Sequence, residues 1–185
     1  MIDSHSHTFY SKHAVGTVDE LVRASIAAGV KILTITDHAP FPVDRDNRLL
    51  EAELERYFAD IEQARRDHEG QIRILRGLEF DHMPGAEAYN RALMERFELD
   101  FAIGSIHYVE VPDAPMTKVW ELPRLANPAF LDRYFADLEA LLCCGLFDAV
   151  GHADTLLRGV PEDEVLRRME PLLPLFARHG VAFEL

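Results

Sequence analysis

The stretch MIDSHSHTFYSKH holds His5, His7 and His13, three of the nine histidines in the chain. Extended backbone sends residues two apart to one face, so His5 and His7 aim together with Asp3 on their side. Two imidazoles so placed can hold one divalent ion, although H-x-H alone is a weak signal. Other strand-like runs add donors at their ends. KILTITDH closes on Asp37–His38, and IRILRGLEFD on Glu79 with Asp81 after it. DFAIGSIHY closes on His107, FDAVGHAD on His152 with Asp154 two on, and GVAFEL carries Glu184. Each of six strands thus finishes with a residue able to bind a cation or to support one that does. In parallel α/β barrels the C-terminal strand ends converge on one face, where such residues would meet. The pattern predicts a centre of two to three divalent ions. Mixed imidazole and carboxylate donors suit zinc, iron or manganese.

Not every donor is read as a ligand. Asp3, Asp37, Asp81 and Glu184 are assigned mainly to orienting imidazoles, as carboxylates around metal sites do. Asp154 is placed with Glu79, His107 and His152 among the catalytic candidates. His68 and His179 each fall in a last helical turn before glycine, where a histidine interacts with the helix C-terminus. His82 is assigned to the surface or to a supporting position.

These residues need a scaffold of alternating elements. Strands are predicted at Ile2–Ser4, Lys31–Thr36, Ile72–Leu78, Phe101–Ser105, Ala149–Gly151 and Val181–Leu185. Helices are predicted at Val18–Ala28, Leu50–Glu69, Ala86–Phe97, Pro128–Cys144 and Pro161–His179. TVDE at Thr17–Glu20 has capping-box spacing, and Asn127 before Pro128 reads as an N-cap and a first-turn proline. Acidic Glu162, Asp163 and Glu164 suit a helix N-terminus. Glu110–Ala126, with three prolines and the lone tryptophan, Trp120, reads as a long active-site loop. The order implies an α/β fold with a mostly parallel sheet, barrel or open, in one domain over residues 1–185.

The bulk numbers agree with a globular chain. Of 185 residues, 48% are apolar and 28% charged, enough for a sizeable core. No apolar run reaches the roughly 18 residues that span a membrane. No basic-then-apolar leader opens the chain, which reads as cytoplasmic. A balance of 19 basic to 32 acidic residues, net −13, argues against a broad nucleic-acid surface. It leaves room for a small anionic substrate, because bound cations reverse the local sign. Cys143 and Cys144 lie in an apolar helical stretch and are read as buried structural thiols in a reducing compartment.

HSHT, then His13, TDH, GLEFD, GSIH and GHAD, in this order, resemble the PHP (polymerase and histidinol phosphatase) family. The likeness runs essentially the whole length. DHAPFP and GLFDAVGHAD are most similar to its histidinol-phosphate phosphatase branch. The resemblance implies a distorted seven-stranded (β/α) barrel around three metal ions. It implies that His5, His7 and Glu79 bind the first ion. Glu79 would bridge to a second, held also by His107 and His152, and His13 and His38 would bind a third. The family's Asp-x-His motif on a later strand has no counterpart up to Leu185, nor do a seventh strand and two helices. This implies a barrel incomplete on its C-terminal side. An open flank would favour a homodimer.

The implied reaction is hydrolysis of a small phosphate monoester, foremost L-histidinol phosphate to L-histidinol and phosphate in histidine biosynthesis. Arg158 and Lys118 are candidates to hold substrate phosphate. The alternatives are a PHP phosphoesterase acting on another small phosphate or a nucleic-acid end, and an inactive partial barrel that binds metal only.

Overall fold

The computed structural model describes residues 1–112, 114–121 and 128–184. The N-cap expected at Asn127, part of the loop expected over 110–126 and the last strand residue Leu185 lie outside the described residues. The chain divides into two compact units, Met1–Phe80 with Phe97–Ile103, and Asp81–Arg96 with Gly104–Leu185. Among the described residues no helix is long and apolar enough to cross a membrane.

The first unit holds β1 (Ile2–Asp3), β2 (Ile32–Ile35), most of β3 (Arg73–Asp81) and the start of β4 (Phe101–Ser105), in that order across the sheet. β1 and β2 are parallel, with Ile2 opposite Ile32. β2 and β3 are parallel, with Leu33 opposite Ile74. Such strands are covered on both faces, and Leu33, Thr34, Ile35 and Thr36 are all buried. Helix α1 (Val18–Ala27) starts in the capping box that TVDE spells. The Thr17 hydroxyl accepts from the Glu20 N–H at 3.2 Å, and the Glu20 carboxylate accepts from the Thr17 N–H at 2.7 Å. Helix α2 (Leu54–Asp67) buries Leu54, Tyr57, Phe58, Ile61 and Ala64, a stripe at helical spacing. A 3-10 turn, Glu51–Glu53, precedes it, so the α-helix starts four residues later than expected. The Tyr57 hydroxyl lies 2.9 Å from the Gly77 carbonyl and 3.0 Å from that of Ile35, which ties α2 to β3 and β2.

The second unit takes the end of β4, then β7 (Ala149–Val150) and β8 (Ala182–Phe183), in that order. β7 and β8 are parallel, with Ala149 opposite Ala182. It also holds most of α3 (Glu87–Phe97), and α4 (Pro128–Cys143), α5 (Glu162–Met169) and α6 (Leu173–His179). Two expectations are corrected here. Much of the presumed loop is an antiparallel hairpin, β5 (Tyr108–Val111) with β6 (Ala114–Lys118), in which Tyr108 faces Lys118. Tyr108, Val109 and Thr117 of the hairpin and Val119 just after it are buried. The single helix expected over 161–179 is two helices joined by a 3-10 turn at Glu170–Leu172. Pro171 has no N–H to continue the helical ladder, so the ladder breaks there although Glu170 keeps helical φ and ψ, and Pro174 fits only the first turn of α6.

Glycine is required at one close approach in this unit. A Cβ on Gly104 would stand 2.5 Å from Cδ2 and 2.6 Å from Cγ of Phe147, which is buried. We therefore expect Gly104→Ala to lower unfolding free energy by about 1–3 kcal/mol, as over-packing a core does. Adding Phe147→Leu should return part of that loss. Urea unfolding of the three proteins checks this, and equal stability of wild type and Gly104→Ala would contradict it.

Candidate metal centre

The first unit gathers five of the sequence-derived ligands. His5 and His7 lie just past β1, where the chain turns into the 3-10 helix Phe9–Ser11, and His13 follows in the next loop. His38 follows β2. β3 runs on through Glu79, whose backbone pairs with His38. The Glu79 N–H donates to the Asp37 carbonyl at 3.1 Å, and the Ala39 N–H donates back to the Glu79 carbonyl at 2.8 Å. The register thus delivers His38 and Glu79 side by side.

The Glu79 side chain is fully buried. Its Oε2 lies 3.2 Å from Nε2 of His5, 3.4 Å from Nε2 of His7 and 3.0 Å from Nδ1 of His38. The two Nε2 atoms of His5 and His7 are 3.1 Å apart. His7 stacks on His38 with ring centres at 4.7 Å, and His13 lies 5.4 Å and 5.0 Å from those two rings. One donor atom each from His7, His13 and His38 falls within 4.8 Å of the others. Burial holds the His7 pKa down to about 3, with the neighbouring imidazoles acting the same way; Glu79 pulls it upward but does not prevail. His7 is therefore neutral at pH 7 and presents a lone pair. Imidazoles converging with a buried carboxylate oxygen fit a divalent cation such as zinc, iron or manganese.

The second unit gathers His107, His152, Asp81 and Glu184. The Nδ1–H of His107 points to Asp81 Oδ1 at 2.8 Å, a contact that fixes the ring and leaves Nε2 as donor. The His107 and His152 rings are 5.1 Å apart. Glu184 accepts from the backbone N–H of His152 at 2.6 Å. That bond holds a strained residue, since His152 sits at φ 29°. Trp120, 42% exposed, lies edge-on to His107 at 6.0 Å, and the Lys118 ammonium stands 5.4 Å from the Trp120 ring centre.

The other residues singled out in the sequence take the following places in the structure. Asp3 accepts from the backbone N–H of His5 at 3.3 Å, so it shapes the chain at His5. Asp154 and Arg158 are exposed in the 3-10 helix Ala153–Arg158 after His152. His82 is only 2% exposed and stands edge-on to Phe147, so its surface assignment is corrected. Burial holds its pKa below the ordinary value. His68 caps α2, and its Nε2 meets Asp19 at 2.7 Å, so the ring serves that carboxylate. His179 Nε2 lies 3.7 Å from Cys143 Sγ. Cys143 is exposed and Cys144 partly so, which corrects the reading of both as buried. Asp37, fully buried, accepts from the N–H and hydroxyl of both Thr8 and Ser11 at 2.6–3.0 Å. Thr8 and Ser11 were not singled out from sequence. Their only signal there is a pair of hydroxyls three apart beside HSH.

A model of the PHP domain matches residues 3–185. The chain is 35% identical over 158 residues to the probable histidinol-phosphatase of Deinococcus radiodurans, covering 83% of this chain and 60% of that one. It is 28% identical over 117 residues to the histidinol-phosphatase of Bacillus subtilis, covering 58% and 44%. The chain thus spans no more than about 60% of the length of these relatives. A crystal structure of histidinol phosphate phosphatase from Lactococcus lactis, complexed with zinc, L-histidinol and phosphate, superposes with a TM-score of 0.83. Identity there is 21%, and the match covers 100% of this chain and 72% of that one. That likeness shows a shared α/β fold.

The His7 environment has a measurable consequence. The unfolded chain takes up a proton on His7 near pH 6.5, which the folded chain refuses until about pH 3. The stability this residue contributes is therefore complete above pH 6.5 and is lost as pH falls through that window. The slope is at most about 1.4 kcal/mol per pH unit. Chelator-treated wild type should lose stability faster than His7→Gln between pH 6.5 and 4.5 in urea unfolding. Parallel curves would show that His7 is not held neutral.

Proposed function

The chain belongs to the PHP family, and from that membership we propose that it is a metal-dependent phosphatase acting on a small phosphate monoester. The substrate we infer is L-histidinol phosphate, cleaved to L-histidinol and phosphate in histidine biosynthesis in the cytoplasm. The observation that carries the reading is the buried Glu79 carboxylate with three imidazole nitrogens 3.0–3.4 Å away. The names of the Deinococcus, Bacillus and Lactococcus relatives support the substrate.

In this reading His5, His7, His13, His38, Glu79, His107 and His152 hold two or three ions of zinc, iron or manganese. Bound ions of this kind supply positive charge to phosphoryl oxygens and lower the pKa of water. The protein contributes arrangement. Glu79 fixes the approach of His5, His7 and His38 through one shared oxygen. Asp81 keeps His107 in the tautomer that leaves the Nε2 lone pair available. Lys118, resting on Trp120, and Arg158 are solvent-accessible cations suited to holding a phosphate oxygen. Asp154 stays a catalytic candidate in the turn that follows His152. The net charge of −13 disfavours long nucleic-acid substrates. Leu166 and Leu173, both exposed apolar side chains, would serve a homodimer contact.

The test is phosphate release by the purified chain from L-histidinol phosphate, nucleotides and single-stranded DNA, with manganese, zinc or iron(II) added. We expect turnover on L-histidinol phosphate that a chelator abolishes and added metal restores. Glu79→Gln should lose about 100-fold or more in kcat/KM with its circular dichroism unchanged. Full activity in that variant would sink the role given to Glu79. Absence of turnover with every metal would sink the phosphatase reading for this polypeptide.

A further inference from the structure

Ser11 is buried in the short 3-10 helix after HSHT, and three polar groups meet its hydroxyl. Asp37 Oδ1 lies 2.6 Å away, His7 Nδ1 2.9 Å and the His38 N–H 3.2 Å. With Asp37 ionised, the proton bookkeeping has one consistent solution. Asp37 is surrounded by donors: the N–H groups of Thr8 and Ser11 at 2.8 and 3.0 Å, and the Thr8 hydroxyl at 2.8 Å. A carboxylate so placed is an acceptor only, so the Ser11 O–H donates to it. The lone pairs of Ser11 are then left to accept. One takes the His38 N–H. The other faces His7 Nδ1, which must carry a hydrogen. A neutral imidazole has one N–H, so Nε2 of His7 holds the free lone pair. That atom is the one turned toward Glu79 and His5.

We propose that Ser11 is a positioning residue for the metal centre, its hydroxyl locking His7 in the Nδ1–H tautomer and coupling that ring to the buried Asp37 carboxylate. His107 receives the equivalent support directly from Asp81. At His7 the serine oxygen stands between Nδ1 and the Asp37 carboxylate. The same oxygen holds the backbone of His38, so one hydroxyl aligns two of the proposed ligands. A carboxylate behind an imidazole N–H raises the basicity of the opposite nitrogen. The alternative role, as a filler of the buried turn, would make the hydroxyl dispensable once its volume was kept.

The importance of this coupling for metal binding rests on the metal-dependent reading above, whereas the tautomer can be read without any metal. Chelator-treated wild type, labelled with nitrogen-15 in histidine, is examined by long-range proton–nitrogen NMR at pH 7.5. The expected result is an Nδ1–H tautomer for His7, lost or mixed in Ser11→Ala. An Nε2–H tautomer in wild type would overturn the proposal. Manganese affinity is then measured by competition with a chelator. Ser11→Ala should bind about 10- to 100-fold more weakly, and Ser11→Thr, which keeps the hydroxyl, should recover most of the loss. Asp37→Asn keeps an oxygen acceptor but removes the charge, and should weaken binding in the same direction. This variant tests the coupling even if the threonine methyl disturbs the turn. Unchanged affinity in both Ser11→Ala and Asp37→Asn would overturn the proposal. A wild type that binds no manganese but loses the Nδ1–H tautomer in Ser11→Ala would sink the metal reading and leave the serine lock standing.

Discussion

The fold of the first unit is organised around a carboxylate taken entirely out of water. Glu79 has no exposed side-chain surface, and an isolated buried charge costs several kcal/mol unless it is matched by charge or hydrogen bonds. Imidazoles from two segments, His5 and His7 after β1 and His38 after β2, gather around it at 3.0–3.4 Å. Holding them there requires β3 to continue past Leu78, β2 to end in register with it, and the chain after β1 to turn back over both. The phenol of Tyr57 clamps this arrangement from the helix side by reaching the carbonyls of Ile35 and Gly77. Burial pushes that phenol's pKa up, so it remains a donor. The same sequence segments therefore build the core and aim the ligands, and neither task can be changed alone.

A second buried carboxylate, Asp37, lies next in sequence to His38 but meets a different set of groups. It collects four donors from Thr8 and Ser11, while His38 turns to Glu79. Burial raises the Asp37 pKa, and the four donors oppose that rise. Two anions are thus buried in one unit by different means, one by hydrogen bonds from a tight turn and the other among rings able to share a cation.

The donor positions were legible because parallel strands have a short period and end on a common side. HSH, TDH, GLEF, GSIH and GHAD each sit at or just after a strand, and the structure places all of those histidines and Glu79 in two compact clusters. The element order was legible too, helped by the capping box at Thr17 and the stop at Gly180. What stayed hidden depends on tertiary placement. Ser11 looks like any loop serine until the turn sets it between His7 and Asp37. His82 lies in the polar stretch DHMPG, yet Phe147, 65 residues on, helps enclose it. The break between α5 and α6 was masked by its own apolar pattern. Val165, Met169, Leu172 and Phe176 keep helical spacing straight through Pro171. The hairpin over 108–118 was obscured by prolines that suggested a loop.

The division of labour between Asp37 and His38 sets which changes this protein can absorb over time. Neighbouring side chains of an extended segment face opposite ways. Losing or gaining one residue between Thr34 and His38 would exchange the two faces. The acid would then point where the rings gather, and the ring where the hydroxyls gather. Point substitutions along β2 can drift through similar apolar shapes, but length changes there invert the chemistry at a stroke. Divergence in a lineage of such chains should therefore accumulate as indels in the outer loops, with the approach from Thr34 to His38 kept at fixed length.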